Sequence, residues 1–146
     1  MFQRILIAWD GSDAALRAFD VAIDVTRRYD AELVAVSVAY SPAHAEIAAD
    51  REESADAAQR YLQETFQEVS DRAERAGVIV EHQIIEAQAP ARALLDFAHK
   101  HAFDLIVCGH HHARRAGRLL LRGVTHELLE AASIPVLVVS EDDDAR

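Results

Sequence analysis

Residues 104 to 125 read DLIVCGHHHARRAGRLLLRGVT, and the change of character along this stretch decides the fold. Leu105 to Cys108 is short, apolar and partly β-branched, which suits a strand buried on both faces of a parallel sheet. Gly109 is expected to end it. A glycine permits positive φ or a close backbone approach, so the turn can aim amide N–H groups at a ligand beyond the carboxyl end of the strand. Arg114, Arg115, Arg118 and Arg122 follow, with no acid before Glu127. In a chain of formal net charge -10 this basic island is the main electrostatic anomaly. A phosphate-bearing ligand accounts for it. So does a solvated helix start whose arginines pair with surface acids.

The same strand-turn-helix layout opens the chain. Phe2 to Trp9 contains the run Ile5, Leu6, Ile7, Ala8, again a strand covered on both sides. Asp10, Gly11 and Ser12 break it, and Ser12 or Asp10 can cap a helix with apolar residues at Ala15, Ala18, Phe19, Ala22, Ile23 and Val25. Trp9 could stack on a planar base or fill the pocket beside it, and filling is the simpler role. Leu33 to Tyr40 reads as a second strand. Ser41 to Asp50, with Pro42, reads as a connection of the length that often serves as a lid.

From Arg51 to Ala76, Ala55, Ala58, Leu62, Phe66, Val69 and Ala73 draw one apolar stripe along a long helix that Gly77 ends. Val78 to Ile85 is a third strand by its β-branched content. Pro90 suits the first turn of a helix carrying Ala91, Leu94, Leu95 and Ala98. The last helix sets Leu121, Val124, Leu128 and Ala132 on one side, and Pro135 to Val139 makes a fifth strand. The acidic tail, residues 141 to 146, is expected to be disordered. Strands alternating with helices throughout predict one Rossmann-like α/β domain over residues 1 to 140. It would be a single five-stranded parallel sheet with helices on both faces and right-handed crossovers.

Composition narrows the function classes. A chain of 146 residues buries roughly 70% of its unfolded surface and needs no staples. The single cysteine, Cys108, leaves no intramolecular disulfide and fits a reducing compartment; within a strand it reads as a small buried apolar residue. No apolar run has the length of a membrane span, and the amino terminus has no signal-peptide pattern, so a cytoplasmic protein without membrane attachment is expected. The acidic balance argues against nucleic acid as a partner.

The marks RILIAWDGSDAALRAFDVA, DLIVCGHH and LLLRGVTHELLEAASIPVLVV together resemble the universal stress protein family over nearly the whole chain. The resemblance implies the strand order 3-2-1-4-5 and a homodimer through the last strand, Pro135 to Val139. An apolar, uncharged edge strand independently calls for a cover of that kind. Many members bind ATP through spaced glycines followed by serine or threonine. Gly109 supplies the first glycine here, His112 stands at the second, Arg122 at the third, and Gly123 at the hydroxyl position. Gln88, Ala89, Pro90 replace the usual glycine, acid, proline turn.

Carried over by position, Ala8 and Val38 would flank an adenine, Asp10 would lie near the phosphates or their magnesium, and Gly109 would approach the phosphates. Gly123, Val124 and Thr125 would offer backbone N–H groups. His110, His112 and Arg115 lie on the same approach and could contact phosphate. Another branch of the family lacks the glycines and holds no ATP, and the GHH start resembles it.

Other readings fare less well. The run His110 to His112 invites a metal, but adjacent residues on a turn rarely face one ion, and no CxxC or HExxH spacing accompanies them. No Walker loop occurs, and Lys100, the single lysine, falls in a predicted helix rather than at a strand end. The resulting expectation is a regulator or binding module with a degenerate adenine-nucleotide site rather than an enzyme. The alternatives are a nucleotide-free scaffold for protein partners and an ATP-binding member with weak ATPase activity.

Overall fold

The computed structural model describes residues 1–40, 48–110 and 123–140. Along the chain run β1 (Arg4–Ala8), α1 (Asp13–Tyr29), β2 (Glu32–Tyr40), α2 (Ala48–Arg75), β3 (Val80–Ala87), α3 (Pro90–Lys100), β4 (Leu105–His110), α4 (Val124–Ala131) and β5 (Val136–Ser140). The strands form one five-stranded sheet in the order β3-β2-β1-β4-β5, with every pairing parallel.

The continuous apolar runs follow from burial on both faces. Ile5 and Ile7 point into one core layer with Ala15, Ala18, Phe19 and Ala22 of α1 and Val69 and Ala73 of α2. Leu6 and Ala8 point into the other, with Leu94, Leu95 and Ala98 of α3 and Val124 and Leu128 of α4. Because strand side chains alternate in direction, a strand between two helical layers has no polar position to offer.

The helix ends explain the element boundaries. Ser12 caps α1, its hydroxyl accepting from the Ala15 N–H at 3.1 Å, a contact worth about 1 kcal/mol. Asp10 in turn accepts from the Ser12 N–H at 3.0 Å and the Ser12 hydroxyl at 2.5 Å. Gly77, at φ 81°, closes α2 while the Gly77 and Val78 N–H groups take the carbonyls of Glu74 and Ala73, a Schellman ending. That ending uses up the Val78 N–H, so β3 starts at Val80, two residues later than the β-branched run predicts, and extends to Ala87. The helix α2 starts at Ala48, so residues 48–50 belong to it rather than to the predicted connection; residues 41–47 lie outside the described residues.

The N-terminal edge of the sheet is clasped by Asp104, whose carboxylate accepts from the Gln3 N–H at 2.8 Å and the Arg4 N–H at 3.1 Å. Arg4 lies over the Phe103 ring at 4.6 Å and donates to the carbonyl of His101.

Candidate functional site

Helices α1 and α2 cover one face of the sheet and α3 and α4 the other. The neighbouring strands β1 and β4 therefore send their chains to opposite sides, β1 into α1 and β4 toward α4. A crevice must open between them at the carboxyl ends of the strands, the switch point at which open α/β sheets take ligands. Several of the predicted site residues lie on the elements that border it.

On the α3/α4 side, Ala8 and Val124 are buried in one cluster with Cys108, and Val38 packs against that cluster. These make an apolar floor. Asp10 lies in the turn from β1 to α1, held by Ser12 as described. Gly123, at φ 95°, is the N-cap of α4, and among the described residues no side chain caps that helix; its first N–H groups are the orphan donors of a helix start. His110 is exposed at the end of β4, opposite Ser140 of β5. His112 and Arg115, with Arg114, Arg118, Arg122 and Leu121, lie outside the described residues, as does the acidic tail.

Gly109 does not end the strand as expected. The strand β4 runs through it to His110, with Gly109 paired to Val139, and Gly109 is not among the glycines at positive φ. A close backbone approach requires it: a Cβ there would run into the carbonyl of Ala14 in the first turn of α1. Thr125 also carries a bond beyond the backbone N–H assigned to it by position. Its hydroxyl is buried and donates to the Gly109 carbonyl at 3.0 Å, so it fastens α4 to β4. Burial raises the Cys108 thiol, while a hydrogen bond with Thr125 opposes the shift. The cysteine is structural.

Trp9 fills the core. It is 4% exposed, lies edge-on to Phe19 at 5.7 Å, and donates from Nε1 to the Thr65 hydroxyl at 3.3 Å. Tyr61 and Thr65 of α2 also lie against Gly11, at φ 79°, so α2 covers the turn that carries Asp10.

Two residues escaped the sequence reading. Ser37 is 1% exposed and donates to the Trp9 carbonyl at 2.6 Å. His82 of β3 lies 2.8 Å from the same hydroxyl through Nε2, and its ring stacks on Phe66 at 4.2 Å. Desolvation lowers the His82 pKa to about 4, so the ring is neutral at pH 7. With the serine proton spent on Trp9, Nε2 must carry the hydrogen that it shares with Ser37. A serine within an apolar strand was the one available signal.

Val38 completes the geometry. In a parallel ladder the N–H and C=O of one residue point to the same side. Trp9 N–H donates to the Val36 carbonyl at 2.9 Å, so Val36 faces β1, and Val38, two residues on, faces the same way. The pairing of β1 with β2 stops at Ala8 and Val36, whereas β2 and β3 stay paired to Tyr40 and Ala87. One donor and one acceptor of the Val38 backbone thus face the space past the end of β1, beside the apolar floor.

A family model described as "Universal stress protein family" matches residues 1–140. The chain belongs to the universal stress protein family. A universal stress protein of Methanocaldococcus jannaschii is 32% identical over 143 residues, covering 97% of this chain and 84% of that one. The solved structure of universal stress protein UspA from Lactobacillus plantarum superposes with a TM-score of 0.82 at 25% identity, covering 94% of this chain and 97% of that one. A universal stress protein solved in complex with cAMP gives a TM-score of 0.71 at 29% identity, with 94% and 97% covered. The strand order seen here is the one that the family resemblance implied. Among the described residues of this universal stress protein, no helix is long and apolar enough to cross a membrane.

Proposed function

We propose that this universal stress protein is a homodimeric regulator or binding module of the cytoplasm that takes an adenine nucleotide, weakly, in the crevice between β1 and β4. The observation that carries the reading is the Val38 backbone facing past the end of β1 beside Ala8 and Val124. A planar base needs an apolar floor and a donor-acceptor pair along one edge, and these residues supply both. That a universal stress protein of similar structure was solved with cAMP supports the choice of adenine.

In this reading Ala8 and Val38 flank the base. Asp10, Gly109 and the first N–H groups of α4, at Gly123, Val124 and Thr125, serve the phosphate end. Asp10 would hold magnesium together with the phosphates, since that ion is usually bound by one or two carboxylates plus phosphate oxygens. His110, His112 and Arg115 would approach the phosphates from the segment that joins β4 to α4, in keeping with the basic island there. The homodimer would form along β5, where Leu137 is 36% exposed. The domain spans residues 1–140, with the acidic tail outside it.

The test is thermal unfolding of the nucleotide-stripped protein against rising ATP with magnesium, and GTP as control. A ligand at about 100 times its dissociation constant adds roughly 2.7 kcal/mol to the folded state. A rise in Tm with ATP alone supports the reading; no rise with either assigns the protein to a nucleotide-free scaffold role.

A further inference from the structure

We propose that Ser37 is a positioning residue of the nucleotide site: by holding the Trp9 carbonyl with its side chain, it keeps the Val38 N–H available to a ligand. The inference rests on the nucleotide reading of this crevice for its functional consequence, and on the ladder geometry alone for its structural part.

The backbone bonds between β1 and β2 follow a fixed alternation. After the Trp9 N–H donates to Val36, the next rung would run from the Val38 N–H to the Trp9 carbonyl. Among the described residues that rung is absent. The Trp9 carbonyl accepts instead from the Ser37 hydroxyl at 2.6 Å. A buried carbonyl left without a donor is costly, so something must bond it; were it not Ser37, the adjacent Val38 N–H would be the nearest donor. The substitution of a side-chain bond for a ladder bond ends the β1–β2 pairing one rung early, just where the crevice begins.

His82 makes the arrangement directional. A serine hydroxyl has one proton and can turn it toward several acceptors. With the His82 Nε2 at 2.8 Å as donor and its ring stacked on Phe66 at 4.2 Å, the serine proton is left to point at Trp9. Ser37, His82 and Phe66 belong to β2, β3 and α2, so the end of β1 is set from the α1/α2 side of the sheet, opposite the apolar floor.

The experiment combines amide hydrogen exchange of the ligand-free protein with adenosine and ATP titration, on wild type, Ser37→Ala, Ser37→Thr and His82→Phe. In wild type the Val38 amide should exchange at least about tenfold faster than the ladder-bonded Val36 amide. In Ser37→Ala it should slow toward the Val36 rate as the missing rung closes, and affinity for adenosine and for ATP should fall by the same factor, about tenfold for one hydrogen bond. Ser37→Thr, which keeps the hydroxyl, should restore both. His82→Phe, which keeps a ring on Phe66, should give a partial version of the alanine result. Protection of Val38 in wild type equal to that of Val36 overturns the inference, whatever the nucleotide does. Should exchange follow the expected pattern while wild type binds neither adenosine nor ATP, the positioning of Val38 stands and the nucleotide reading falls. If Ser37→Ala does not fold, the exchange comparison in wild type, Ser37→Thr and His82→Phe still decides.

Discussion

The hydroxyl of Thr125 donates to the carbonyl of Gly109 at 3.0 Å, and both residues are buried. This bond fixes the start of α4 against the end of β4. Thr125→Val, nearly isosteric, leaves that carbonyl without its donor and should cost roughly 1–3 kcal/mol, whereas Thr125→Ser should stay near wild type. Urea unfolding of the three proteins measures the difference; equal midpoints would show the bond to be dispensable.

The same glycine carries a second expectation. Gly109→Ala forces a methyl group onto the Ala14 carbonyl, which belongs to the backbone and cannot swing away. We expect a loss of about 3 kcal/mol, a Tm drop of roughly 6–12 °C in a chain of this size. By contrast Gly123, with nothing among the described residues near its missing Cβ but a φ of 95°, should lose stability through backbone strain. Calorimetry of the two alanine variants separates the causes.

His82 predicts a pH dependence. Its folded pKa of about 4 lies below the ordinary value of 6.5, so between those values the unfolded chain binds more protons than the folded one. Stability is therefore fully present above pH 6.5, falls as the pH drops through the folded pKa, and levels off below it. A shift of that size caps the effect at about 3 kcal/mol, and partial exposure of the ring reduces it to about 1–2 kcal/mol. Subtracting the pH profile of His82→Gln from that of wild type cancels the carboxylates and should isolate this slope; superimposable profiles would remove His82 as its source.

Leu137 tests the proposed seam. It is 36% exposed on an edge strand whose neighbours Val136 and Val138 are only partly buried. An arginine cannot lose its hydration in such a contact without a partner. Leu137→Arg should give a monomer in sedimentation equilibrium where wild type gives a dimer, and an unchanged dimer would move the seam elsewhere.

Much of this fold was legible along the chain because its causes are local. Unbroken apolar runs such as Ile5 to Ala8 mean burial on both faces, and three-to-four spacing such as Ala15, Ala18, Phe19, Ala22 means a helix facing one core. Ser12 and Gly77 mark helix ends by chemistry that acts within a few residues. Trp9, Gly109 and Thr125 were harder, since each was flagged by type and placed by neighbours that only folding provides.

The amino-acid sequence by itself determined the element order, the parallel sheet with helices on both faces and the family, because periodicity, capping and motif spacing are properties of nearby residues. The tertiary structure decided which groups meet. Ser37 finds His82 across 45 positions, Trp9 finds Thr65 across 56, and Gly109 is pressed onto Ala14 of α1. Hydrogen-bond partners and close backbone approach depend on strand register and on the helix chosen to cover each face. Nothing in the pattern of one segment specifies the side chains that another will bring to it.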